Sequence, residues 1–323
     1  MSLRAWSLLQ LSIAFAATIV TASAQTTYLN DNFSSATATT GSATVPAGVL
    51  STTQWYESAA NLSVNNSALQ FTSGNAAYYT FFTQLGTTAD IAGTTTGNYI
   101  DLSFDLTTSG TVASSGFKIG LFNSQANLTG SGFARPVLST SGNGLITAGS
   151  STQTTATAGN PYLNWSGYYV NFNPATTSSA STLQFFQRAS STTNSSLLTN
   201  GGSQVTLQGS SVAGTALSSG NTYHFDFTIS TISATSLSLT ATVSQGATVL
   251  NTDTLTLTSI AALGGTSFDT IGLNPNVSSG TPGWTMDNFS VVSVPEPTTY
   301  AMGAGMAALA AVFAWRMRRR AIA

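Results

Sequence analysis

Cysteine is absent from all 323 residues, so no disulfide framework, thiolate zinc site or cysteine nucleophile is available to this chain. Charge is nearly as scarce. There are 8 Lys and Arg, 10 Asp and Glu and one His, or 6% charged residues where an ordinary soluble protein carries roughly 25%. So few basic residues cannot neutralise a phosphate backbone, which excludes nucleic-acid binding. A lone histidine gives no zinc cluster either. Hydroxyl groups fill the gap, with 46 Ser and 53 Thr. Beside them stand 42% hydrophobic and 10% aromatic residues, far more than a disordered polar tract contains.

Residues 1–24 read as a secretory signal peptide. Arg4 supplies the positive end, Leu8 to Val20 the apolar run, and Ala22-Ser23-Ala24 an A-x-A cleavage site ahead of Gln25. At the other end, Val294-Pro295-Glu296-Pro297 precedes an uncharged stretch from Thr298 to Trp315, followed by Arg316, Arg318, Arg319 and Arg320. As a helix that stretch would reach about 27 Å, enough to cross the hydrocarbon core of a bilayer. The arginines would stay cytoplasmic and leave the N-terminal body outside, as the signal peptide independently requires. The two prolines keep the motif extended and halt a helix running back from the membrane.

This ordered tail resembles the PEP-CTERM sorting signal of Gram-negative bacterial surface proteins. The resemblance implies an exosortase, a membrane protease-transpeptidase, as the processing partner. Pro295, Glu296 and Pro297 with the four tail arginines would form the sorting motif. It also implies transient anchoring in the inner membrane, then delivery to the cell surface or extracellular matrix. A plain C-terminal anchor is the alternative.

Between the ends lies a body of residues 25–293, with three basic residues, Lys118, Arg135 and Arg188, against nine acids. Its dominant pattern has period two. Ser236 to Ser244 alternate hydroxyl and apolar residues without a fault, as half-buried strands require. Gln245-Gly246 then turns the chain into a return strand through Leu255 and Leu257. Residues 223–229 and 100–106 alternate in the same way. Further strands are expected at 28–33, 68–72, 76–83, 116–122, 167–172, 182–187, 267–273 and 285–293, with a helical turn over 259–263. Asp31-Asn32-Phe33-Ser34 near the start and Asp287-Asn288-Phe289-Ser290 near the end suggest that the terminal strands are neighbours. The expectation is an all-β, two-sheet antiparallel sandwich forming one domain. The strand order resembles the concanavalin A-like lectin/glucanase jelly roll, including its laminin-G-like relatives.

That resemblance raises glycoside hydrolysis, which requires a pair of carboxyl groups. Glu57 is the body's one glutamate, and Asp101 and Asp105, four apart on one strand face, stand roughly 13 Å from each other. His224 and Asp226 also share a strand face, but no Gly-x-Ser-x-Gly elbow accompanies them. Both pairs are expected simply to keep an exposed strand face soluble. The one cofactor left open is a structural calcium ion, with Asp31 and Asp287 as ligands if the terminal strands converge. The competing reading has these residues bonding turn backbone. Trp165, Tyr162, Trp55 and Trp284 lie beside Gly, Asn or Pro turns, where exposed rings would stack on sugars.

The sequence therefore points to an exported, non-catalytic surface or matrix protein, structural or adhesive in exopolysaccharide or biofilm. A carbohydrate-binding, lectin-like module is the alternative, and a glycoside hydrolase a distant one.

Overall fold

In the computed structural model the described residues are 25–33, 55–57, 62–65, 68–71, 81–91, 97–108, 117–123, 139–140, 146–147, 165–174, 181–189, 198, 204–259, 265–275, 284–294 and 312. Strands are numbered in chain order. The first sheet runs β16 (Thr248–Leu257), β15 (Ser236–Gln245), β14 (Thr222–Ser233), β6 (Tyr99–Thr108), β18 (Trp284–Val294), β4 (Ala68–Phe71) and β3 (Leu62–Asn65). Here β1 (Thr26–Asp31) also pairs with β18. The second sheet runs β12 (Gln204–Thr206), β11 (Ser181–Arg188), β10 (Ser166–Asn173), β7 (Phe117–Asn123), β17 (Ser267–Pro275), β5 (Phe81–Asp90), β2 (Trp55–Glu57), β9 (Ile146–Thr147) and β8 (Ser139–Thr140). In it, β13 (Val212–Gly214) pairs with β11. Pairing is antiparallel except between β2 and β9.

The expected sandwich is present, with the hairpin at 236–257 and a left-handed Gly246 at its turn. The terminal strands do pair: Asp31 faces Phe289 in register. Of the strand expected at 76–83, residues 81–83 lie in β5, which runs Phe81–Asp90, and residues 76–80 lie outside the described residues. The helical turn expected at 259–263 falls almost wholly outside the described residues, as do the signal peptide and Pro295–Pro297. The expected membrane span at 298–315 does too, save for Val312. Among the described residues no helix is long and apolar enough to cross a membrane.

Two features of the order set the architecture. Strand β18 lies between β6 and β4, and β17 between β7 and β5, so the last two strands fill the middle of both sheets. The chain also passes from sheet to sheet at β4–β5–β6–β7 and again at β16–β17–β18, so each pass stacks an inner face on its opposite number.

That inner space is aromatic. Phe104 stacks on Phe225 at 4.9 Å and on Phe289 at 4.9 Å within the first sheet. Across the gap, Phe117 of the second sheet meets Phe104 at 5.9 Å, and within its own sheet it meets Phe172 at 5.0 Å. Phe33 joins from the N-terminal strand, edge-on to Phe289 at 5.9 Å. Phe33 has φ of 51°, a left-handed conformation rare for a bulky residue. It is held there by its buried ring and by its own N–H, which donates to Asp31 Oδ1 at 2.9 Å.

Phe104 is fully buried at the centre of this cluster. Phe104→Ala is expected to cost about 3–5 kcal/mol of unfolding free energy. A urea titration checks this, and a loss below about 1 kcal/mol would show that the cluster does not govern stability.

Candidate binding surfaces

The outer face of the first sheet follows the alternation closely, and its side chains bond across strands. Thr240 pairs with Thr254 at 3.2 Å, Thr242 with Thr252 at 3.2 Å and Thr107 with Thr222 at 2.9 Å through their hydroxyls. Such cross-strand pairs contribute roughly 0.2–1 kcal/mol each. Asp101, on this outer face, accepts a hydrogen bond from Thr228 at 2.7 Å.

The register of β14 on β6 sets His224 against Asp105. His224 Nδ1 lies 2.8 Å from Asp105 Oδ1, and Nε2 lies 3.1 Å from Asp226 Oδ1. Asn288, left-handed at φ 53° where β18 bulges, donates from Nδ2 to the other Asp105 oxygen at 2.8 Å. With a carboxylate at each ring nitrogen, a neutral imidazole would turn a lone pair on an anion, whereas the imidazolium donates to both. Burial alone pulls the imidazole down, but the hydrogen bonds and charges of Asp105 and Asp226 outweigh it and hold His224 above its usual 6.5. Burial raises Asp226, Asp101 and Asp287 above the usual carboxylate value, in each case against a hydrogen bond that lowers it.

The second sheet behaves differently. Its strands β7, β10 and β11 are buried on both faces, with patterns that break alternation. Phe122, Tyr169 and Phe186 are buried yet stand outside the inter-sheet core cluster. Tyr169 stacks on Phe186 at 5.3 Å and lies 6.3 Å from Phe122.

Registers place the outer-face residues in three rows. One row is Gln184, Asn171, Lys118 and Asn274; the next is Phe186, Tyr169, Gly120 and Gly272; the third is Arg188, Gly167, Phe122 and Thr270. Two of the body's three basic residues thus share this face. Lys118, the chain's single lysine, donates to the carbonyl of Leu198 at 2.9 Å, and burial pulls its ammonium down to about 8. Burial pushes the Tyr169 phenol well up, against the pull of the Arg188 charge. A methyl group on Gly120 would collide with the Tyr168 carbonyl and Tyr169 Cβ, and one on Gly167 with the Leu121 carbonyl, so these strands approach only without side chains there.

The expected site residues fare unequally. Trp165 is fully buried just before β10, so it is not an exposed stacking platform: this corrects the sequence expectation. Tyr162 lies outside the described residues. Trp55 and Trp284 open β2 and β18, and their side chains lie outside what is described. The proposed calcium ligands do not converge. Asp31 is fully buried and pairs with core Phe289, whereas Asp287 pairs with Asp105 on the outer face, so the two carboxylates sit on opposite sides of the sheet. Each instead accepts a nearby backbone N–H, Asp31 from Phe33 and Asp287 from Asn288. Gln25 is exposed, and Ala22 and Ala24 lie outside the described residues together with the tail motif and its arginines. Among the described residues no group of three or more His, Asp or Glu is placed to hold a metal ion.

Comparison with known proteins adds the following. Residues 293–320 match the model of the PEP-CTERM protein-sorting motif. No curated protein matches the chain. Similar solved structures include a peanut lectin with a nonapeptide (14% identity, 83% of this chain and 97% of that one, TM-score 0.44). Another is arcelin-5, a lectin-like defence protein from Phaseolus vulgaris (9% identity, 83% and 98%, TM-score 0.41). An alginate lyase in complex with alginate trisaccharide is also similar (13% identity, 81% and 96%, TM-score 0.41). The two-sheet architecture rests on the strand pairings themselves.

Two outcomes are expected. First, a group raised on folding adds stability below its unfolded value and loses it as pH rises through the folded one. His224, Asp226, Asp101 and Asp287 are all raised, so acidification stabilises. Between pH 7 and 6 His224 titrates while Lys118, at about 8, already carries its proton, and because His224 is half exposed the gain stays under about 1 kcal/mol. Melting temperature at low salt should be higher at pH 6 than at pH 7, and His224→Gln should flatten that difference. Second, EDTA should leave the melting temperature unchanged, since the two expected ligands point apart. A fall on chelation would restore a calcium site.

Proposed function

We propose that this chain is an exported, non-catalytic surface protein that a PEP-CTERM tail delivers to the cell envelope or extracellular matrix. Its β-sandwich would be structural or adhesive in polysaccharide there. The observation that carries the reading is the match of residues 293–320 to the sorting motif, at the end opposite a signal-peptide pattern. An exosortase is the implied processing partner, with Pro295, Glu296 and Pro297 as its grip and Arg316, Arg318, Arg319 and Arg320 holding the orientation. The outer face of the first sheet supports the matrix role. Its hydroxyls pair with one another across strands, which makes a broad array of donors and acceptors suited to saccharide hydroxyls. The carboxylates are engaged in the same cross-strand bonding, Asp101 with Thr228 and Asp105 with His224 and Asn288, which suits a surface better than a hydrolytic centre.

The test is replacement of Pro295, Glu296 and Pro297 by alanine in a host that carries an exosortase. The parent chain should reach the surface or medium with its tail removed, as read by intact mass. The triple variant should stay in the membrane at full length. If both stay in the membrane with the tail attached, the segment is a plain anchor and the sorting reading fails.

A further inference from the structure

Sheet edges are where a sandwich can pair with another copy of itself, and three of the four strands that end the two sheets are short. Strand β3 has four residues, β12 three and β8 two, whereas β16 has ten. Half of β16 is Thr or Val, and it holds no proline and no lysine, a composition that invites a further strand. Among the described residues β15 pairs along one side of it. On the other side Thr215 reaches its start, donating its N–H to the Leu250 carbonyl at 2.9 Å. From Thr252 to Leu257 no described strand pairs with that edge. The long strand near the end of the second sheet is treated differently. Strands β12 and β13 pair along β11, and between them Gln208 Oε1 accepts the Phe185 N–H at 3.4 Å.

Strand β16 carries a charge instead. Asp253 is the one charged residue between Asp226 and Asp269. Its partner in register is core Ala241, while Thr252 and Thr254 bond across the outer face, so Asp253 points inward. It is 6% exposed, and its Oδ2 is buried with no hydrogen-bond partner. Asn251, two residues earlier on the same face, has a structural use, since its Nδ2 donates to the Ser181 carbonyl at 3.3 Å and hydroxyl at 3.2 Å and so ties β16 to β11. Asp253 makes no such tie. Among the described residues no cation stands beside it: His224 is on the outer face of the first sheet, Lys118 and Arg188 on that of the second.

A carboxylate turned into the rim of a core costs stability, and it is tolerable where the rim still meets water. A strand added along β16 would cover that rim and seal the charge without a partner, which costs far more than the new backbone bonds return. We infer that Asp253 bars strand addition at β16 and so keeps the sandwich from pairing edge to edge with a second copy of this chain.

The test compares the full chain with Asp253→Val and Asp253→Asn in detergent micelles, reading oligomeric state by light scattering, melting temperature, and amide hydrogen exchange by mass spectrometry. The parent should be single. Asp253→Val should pair, with self-association about a hundredfold tighter or more, and new protection should fall on residues 248–257. Asp253→Asn keeps the shape and removes the charge, and should pair in the same place more weakly. At dilutions where it is single, Asp253→Val should melt at the parent temperature or above, because Oδ2 loses no bond; a carboxylate with a structural bond would melt lower on replacement. A parent already paired through 248–257 would overturn the inference, as would a lower melting temperature for Asp253→Val. Pairing with protection elsewhere would overturn it too. So would an Asp253→Asn chain that stays single, since an added apolar patch rather than the lost charge would then explain any pairing of the valine variant.

Discussion

The contact on which the whole sandwich depends is the stack of Phe225, Phe104 and Phe289, capped across the gap by Phe117 and at the N-terminus by Phe33. A chain with no cysteine has no disulfides, and 6% charged residues leave it few ion pairs to draw on. Apolar burial is what remains, at roughly 1.5–3 kcal/mol for each fully buried large side chain. The stack also ties the chain's ends together. Phe33 and Phe289 come from the two Asp-Asn-Phe segments, and their rings meet because β1 and β18 are neighbours. The left-handed residue differs between the two copies, Phe33 in one and Asn288 in the other, so the same tripeptide serves once as a strand exit and once as a bulge.

Around that core the scarce charges divide unevenly. The first sheet's outer face gathers Asp101, Asp105, Asp226 and Asp287 with His224 bonded to two of them. The second sheet's outer face holds Lys118 and Arg188 among aromatic rings, while strands β5 and β17 of that sheet also carry Asp90 and Asp269. The two broad surfaces therefore differ in chemistry. One is a hydroxyl and carboxylate lattice open to solvent. The other is an aromatic and cationic face withdrawn from it.

Much of this was legible in the sequence where alternation was strict. Ser236 to Ser244 and Tyr223 to Ile229 read as strands because each second residue had to be apolar, and they proved to be so. The same reading recognised that Asp101 and Asp105 share a face, and that His224 and Asp226 do. What it lacked was the register of β14 on β6, separated by more than a hundred residues, which alone sets His224 between Asp105 and Asp226. The second sheet's face was missed for a different reason. Leu121-Phe122, Tyr168-Tyr169-Val170 and Phe185-Phe186 are adjacent apolar residues, a sign of strands buried on both sides. A period-two pattern alone does not distinguish such strands from half-buried ones, so the face that holds Lys118 is not visible from it. Trp165 was misjudged likewise, because a neighbouring turn suggested exposure while its place beside the doubly buried β10 kept it covered.

The position of the last strands links folding to the tail. Strand β18 ends at Val294, in register with Tyr99, and the next residue is Pro295. Proline has no N–H to add to the ladder, so pairing along β6 cannot continue into the sorting motif. The residues that match the sorting motif, 293–320, therefore begin inside β18, at Ser293 and Val294. Because β17 and β18 occupy the middle of the two sheets, neither sheet is continuous until they are placed. Such long-range pairing is slow to form, since the chain between must be closed into loops first. The residue beside the motif is thus among the last to join the sandwich.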